Sequence, residues 1–146
     1  MENMEIEPNK NYLLYYTKYH PYMAINNNYN IGTDIEEVSR FACKTLENDY
    51  KFLSRIFTSN ELDYCYKNIN PETHLCARFC AKEAVIKALS GLNISDVYYK
   101  DIEISKFENG RPYVILEKYP NLDIKTSISH CKKYATATVI INKGEH

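Results

Sequence analysis

Residues 75–89 read LCARFCAKEAVIKAL, and the reading of this stretch decides the fold. It lies between Asn70-Pro71, an N-cap and first-turn pair, and Gly91, a stop signal just past Leu89. The longest helix in the chain is therefore predicted over roughly 71–89. Leu75, Phe79, Ile86 and Leu89 approximate one apolar stripe, with Cys76, Cys80, Glu83 and Lys87 on a neighbouring face.

Working outward, Thr58 followed three residues later by Glu61 is a capping box, which opens a helix through about Lys67. Val38 to Glu47 also has a helical pattern. Ahead of it stands IGTDIEEV at 31–38, where Ile31, Thr33 and Ile35 alternate with Gly32, Asp34 and Glu36 as in a half-buried strand. Beyond the long helix the period changes. DIEIS at 101–105 and RPYVIL at 111–116 flank Asn109-Gly110, the favoured pair for a type I′ hairpin turn. TSISH and YATATVII, separated by Cys131-Lys132-Lys133, read as a second hairpin. A strand, several helices and then a run of strands is an α+β pattern with a mainly antiparallel sheet. Residues 30–146 are read as one domain. Residues 1–29, rich in Asn, Tyr and Lys, are read as a weakly structured extension.

The bulk numbers are those of a globular chain of 146 residues, with 45% hydrophobic and 25% charged residues. A formal charge of −1 gives no electrostatic footing for nucleic acid. Tyr12, Tyr15, Tyr16, Tyr19 and Tyr22 lack the basic neighbours that a stacking surface for single strands uses, so an extension is the better reading. No run of about eighteen apolar residues predicts a membrane span, and the acidic N-terminus has no apolar signal core. The five cysteines form no CxxC pair and read as free thiols. Cys76 and Cys80 share a helix face near His74, but without a second ligand pair they read as buried small hydrophobes.

The chemistry lies in a strand Asp and a helix Glu. Asp34 and Glu83 together make a hard-oxygen site of the kind Mg²⁺ uses, taking one or two carboxylates and completing its shell with water and phosphate oxygens. Lys87, one turn beyond Glu83, sets a cation beside those phosphates. The combination points to chemistry on a pyrophosphate. Taken singly, each residue has a plainer reading. Asp34 and Glu36 fit the solvated face of a strand, and Glu83–Lys87 fits a surface pair contributing about 0.2–0.5 kcal/mol.

Five blocks in order change that balance: IGTDIEEVSRF, FLSRIFTSNEL, LCARFCAKEAVIKAL, DIEI with ENGRPYVIL, and SISHCKKYATATVII. Over about residues 30–141 the chain resembles the 4′-phosphopantetheinyl transferases, specifically the short holo-acyl-carrier-protein synthase type. The resemblance implies that family's fold, with one copy per chain. It implies transfer of phosphopantetheine from coenzyme A to a serine of apo acyl-carrier protein, releasing adenosine 3′,5′-bisphosphate, in support of fatty-acid synthesis. It gives Asp34 and Glu83 as Mg²⁺ carboxylates and Lys87 as the pyrophosphate lysine, all three catalytic. Arg78, His130 and the adjacent Ser129 match coenzyme A contacts, and Arg40 an arginine that meets the carrier's acidic helix. The serine proton goes to Glu83 or to a water held by the metal. A homotrimer with sites between subunits is implied, in the cytoplasm or in a plastid-type organelle. A carrier-binding module without turnover, or a transferase serving polyketide or peptide-synthesis carriers, are the competing readings. The chain departs from the family's Gly-Thr-Gly-like turn at Leu89-Ser90-Gly91-Leu92-Asn93.

Overall fold

The computed structural model describes residues 29–144. The long helix forms as predicted: α3, Pro71–Ser90, is the centre around which the rest is packed. Before it come strand β1 (Tyr29–Glu37), a 3-10 turn (Val38–Phe41), α1 (Leu46–Ile56) and α2 (Ser59–Tyr66). After it come a 3-10 turn (Tyr99–Asp101), β2 (Glu103–Lys106), β3 (Pro112–Ile115), β4 (Asp123–His130) and β5 (Tyr134–Asn142). Strands β1, β5 and β4 form an antiparallel sheet in that order, and β2 pairs with β3 as a separate hairpin. This is the α+β architecture expected, with an antiparallel sheet on the long helix. Among the described residues no helix is long and apolar enough to cross a membrane.

The sheet lies on α3 through small residues. Gly32 of β1 meets the backbone of Ala84 and Ala88, while Ala135 and Ala137 of β5 are buried beneath the sheet. That approach overturns the expected facing of β1. Ile31 and Ile35 point outward, 68% and 65% exposed, whereas Gly32, Asp34 and Glu36 turn toward the helix side. Alternation in sequence gave the period; which face is inward depended on the missing Cβ at Gly32.

The single apolar stripe on α3 is also corrected. Leu75 through Lys82 is buried without a break, and Ala84, Val85, Ala88 and Leu89 follow. A helix covered on most sides is a central core helix, not a surface one. Asn70 makes no side-chain cap, so Pro71 at the first turn carries that end. On α3's far side Phe41 packs against Phe57 and Phe79, both ring pairs 5.6 Å apart. Burying each such ring contributes about 1.5–3 kcal/mol.

Two further expectations change. Val38–Glu47 is not one helix: the 3-10 turn ends at Phe41, Cys43 has φ 59, and Thr45 caps α1 by accepting a hydrogen bond from Asn48 N. The β2–β3 turn is not type I′. Gly110 N donates to Phe107 O and only Gly110 has positive φ, a type I turn followed by a glycine bulge. The Thr58–Glu61 capping box is present as predicted. At the end of α3, Asn93 adopts φ 58 and Ile94 N closes on Leu89 O.

Candidate active site

Because β1 turns its even-numbered side chains toward α3, Asp34 reaches the face of the helix that carries Glu83 and Lys87. The four-residue spacing of Glu83 and Lys87 keeps both on one side. Lys87 Nζ donates to Asp34 Oδ1 at 2.9 Å and to Thr33 O at 3.0 Å. The hydrogen bond to Asp34 holds the Lys87 amine above its ordinary range, and the charge of Glu83 adds to the effect. Asp34 Oδ2 is buried without a hydrogen-bond partner among the described residues. A carboxylate oxygen in that position suits a cation; the nearby thiol of Cys80 also interacts with Asp34.

Glu83 is met from the other direction. Tyr99, in the 3-10 turn after α3, donates its hydroxyl to Glu83 Oε1. Burial, then the hydrogen bond and charge of Glu83, push the Tyr99 phenol up to about 12. The charges of Asp34 and Arg40 also act on that phenol, which puts all four groups in one neighbourhood. Asp34 and Lys87 are therefore in contact, and the charge of Glu83 acts on the same amine. No group of three or more His, Cys, Asp and Glu suited to a metal occurs among the described residues.

Arg40 stands at the rim. Its guanidinium lies 4.4 Å from the centroid of the Phe79 ring and pairs with Glu36 at 2.8 Å. At 46% side-chain exposure it remains open to a partner.

Arg78 lies elsewhere. Five residues before Glu83, it is turned about 140° around the helix axis from it. It is 8% exposed, its guanidinium sits 4.0 Å from the Tyr64 ring centroid, and its Nε has no partner among the described residues. Lys106 lies over the same ring at 4.4 Å, and His74 meets it edge-on. Burial first, then the charges of Arg78, His130 and Lys106, holds His74 below its ordinary value. Arg78 and His130 therefore belong to a basic cluster that includes His74 and Lys106, on a different flank of α3 from the carboxylates. Ser129 is exposed on the outer face of the sheet, in register with Thr136. One copy of the chain does not bring Arg78, His130 and Ser129 to Asp34 and Glu83.

Sequence reasoning did not single out Tyr64, Lys106 or Tyr99. Tyr99 is one of fourteen tyrosines and sits in no periodic segment. Nor did it find that Glu61, read only as a cap, is the buried partner of Lys82 at 2.7 Å. The cysteine reading agrees with the structure: Cys76 Sγ lies 3.7 Å from Glu36 O and Cys80 Sγ 3.2 Å from Ala135 O, both thiols buried.

Comparison with known proteins places these features in a family. Residues 30–139 match the model of the 4′-phosphopantetheinyl transferase superfamily. The holo-[acyl-carrier-protein] synthase of Protochlamydia amoebophila is 39% identical over 115 residues, covering 75% of this chain and 94% of that protein. That of Chlamydia pneumoniae is 44% identical over 115 residues, covering 75% and 93%. Among solved structures, a holo-(acyl-carrier-protein) synthase from Bacillus anthracis in complex with CoA (3′,5′-ADP) superposes with a TM-score of 0.66 at 31% identity, covering 79% of this chain and 96% of that one. The chain belongs to the 4′-phosphopantetheinyl transferase superfamily.

Proposed function

We propose that this protein is a holo-[acyl-carrier-protein] synthase, transferring 4′-phosphopantetheine from coenzyme A to a serine of apo acyl-carrier protein. The observation that carries the reading is the meeting of Asp34 and Lys87, with a buried, unpaired oxygen on Asp34, on a chain of this family. In the reaction the serine Oγ forms a bond to the β-phosphorus, and the bond from that phosphorus to the bridging oxygen breaks. Adenosine 3′,5′-bisphosphate departs with the bridging oxygen, and the serine proton passes to Glu83 or to water.

The donor set suits Mg²⁺: Asp34 and Glu83 would supply two hard oxygens to hold it. Bound there, Mg²⁺ would supply positive charge against the pyrophosphate. Lys87, charged at physiological pH and half exposed, turns from Asp34 toward the phosphates as a further cation. Arg40 meets the acidic surface of the carrier, exchanging Glu36 for a partner carboxylate.

The coenzyme's remaining phosphate, on the 3′ carbon of the ribose, goes to the basic cluster of Arg78, His130, His74 and Lys106, with Ser129 close by in sequence. Since that cluster and the carboxylates lie on different flanks of one chain, a complete site takes them from two copies. The outer face of the β1–β5–β4 sheet supports assembly. Ile31, Ile35 and Ile140 are exposed on it, and Ile31 and Ile140 are directly opposite each other in register. A homotrimer with three shared sites accounts for both features. The similarity to bacterial synthases fits a role in fatty-acid synthesis, in the cytoplasm or in a plastid-type organelle.

Asp34→Ala and Glu83→Ala test the assignment. Each should abolish transfer, by at least about 10²-fold, while leaving the circular dichroism spectrum unchanged. Near-normal turnover in either variant would remove that carboxylate from the site.

A further inference from the structure

We propose that Tyr99 is a positioning residue for Glu83: its hydroxyl fixes the carboxylate through Oε1 and leaves Oε2 for the metal. The proposal rests on the reading of Glu83 as a metal carboxylate. A glutamate at the half-buried position 83 has three rotatable bonds. Holding one oxygen confines it to a narrow set of orientations before any ligand arrives, as outer partners of metal ligands do.

The hydroxyl is held to its task from behind. The Tyr99 ring packs against Phe79 at 5.6 Å between centroids. Its backbone is tied down by Lys82, the residue next to Glu83 in α3. Lys82 Nζ donates to Tyr99 O at 2.8 Å, Ile102 O at 2.6 Å and Ile56 O at 2.8 Å, and it pairs with Glu61 Oε2 at 2.7 Å. Lys82 is 0% exposed and Glu61 1%. Glu61 in turn accepts hydrogen bonds from Ile104 N and, through the capping box, from Thr58 N. Lys100 Nζ adds a bond from the same turn to Phe57 O at 2.9 Å.

Adjacent residues of α3 therefore act on one turn from two sides. Lys82 fastens the turn's carbonyls in the core, and Glu83 receives the turn's phenol at the site. A segment with one functional side chain is clamped through its carbonyls by a fully buried ammonium, in the surroundings where a lysine is most expensive to place. Fixing a coordinating carboxylate gives that arrangement a use.

The test compares wild type, Tyr99→Phe and Glu83→Gln. Tyr99→Phe removes one oxygen and keeps the ring on Phe79. Protein-bound Mn²⁺ is measured by electron paramagnetic resonance with coenzyme A saturating, alongside kcat, the KM for apo acyl-carrier protein and the thermal midpoint. Tyr99→Phe should weaken Mn²⁺ binding about tenfold and lower kcat comparably, with the KM for the carrier and the thermal midpoint little changed. Glu83→Gln should remove Mn²⁺ binding. If Glu83→Gln loses Mn²⁺ but Tyr99→Phe binds it like wild type, Tyr99 does not position Glu83, and the metal assignment stands without it. A fall in thermal midpoint alone for Tyr99→Phe likewise overturns the positioning role. If Glu83→Gln binds Mn²⁺ normally, the metal assignment itself fails and the proposal fails with it.

Discussion

Gly32 of β1 and Ala84 of α3 are in backbone contact: a Cβ at Gly32 would stand 1.9 Å from the carbonyl oxygen of Ala84 and 2.8 Å from the amide nitrogen of Ala88. Any side chain at position 32 has to push the strand off the helix. Two residues further along that strand is Asp34, so the contact sets how far Asp34 stands from Lys87 and Glu83.

Gly32→Ala should therefore cost stability and activity together. The obstacle is the backbone of α3 at Ala84 and Ala88, which cannot give like a side chain, and this places the expected loss at the upper end of overpacking penalties, about 3 kcal/mol. Urea denaturation measures the first effect. Transfer activity, compared at temperatures where the variant is folded, measures the second. A stable variant with normal turnover would mean that the strand and helix separate freely here.

The Lys82–Glu61 pair makes a different prediction. Neutralising Glu61 by Glu61→Gln keeps its size but leaves a buried ammonium without its counter-charge. Breaking a buried pair by removing one partner typically costs about 3–5 kcal/mol. The loss should appear as a lower urea midpoint with an unchanged slope. A loss under about 1 kcal/mol would show that solvent reaches Lys82 and that the clamp is loose.

Charge on the outer sheet face should break the assembly. Ile31→Lys with Ile140→Lys puts two like charges opposite each other on β1 and β5, where an oligomer would bury them. Sedimentation velocity should show trimer for the wild type and monomer for the variant, and the variant should lose coenzyme A affinity because its sites are shared. A monomer that retains full affinity would place the whole coenzyme site within one chain.

How much of this was legible in the sequence differs from feature to feature. The long helix, the Thr58–Glu61 capping box and the β4–β5 hairpin rest on local rules, and the structure follows them. The facing of β1 did not follow from alternation. Isoleucines at 31 and 35 resemble an inward face, but the outward face of a strand can be apolar where other copies cover it, and only the approach of Ala84 to Gly32 reveals the true side. That Asp34, Glu83 and Lys87 share one neighbourhood was anticipated from their motifs, but the direct Asp34–Lys87 bond was not. Tyr99 was not, because its role depends on where α3 and the loop after it deliver one hydroxyl in space, and no local pattern encodes that. Lys82 looked like any helix lysine. Nothing in AKEAV says that position 82 points into the core while 83 points out.

The central claim is the transfer itself, and intact-mass analysis tests it most directly. Apo acyl-carrier protein is incubated with this protein, coenzyme A and Mg²⁺, and in parallel with a chelator in excess. The expected result is a carrier heavier by one phosphopantetheine group in the first sample and no change in the second. An unmodified carrier in both samples, from a protein that still binds the carrier, would contradict the transfer and leave a binding module in place of an enzyme.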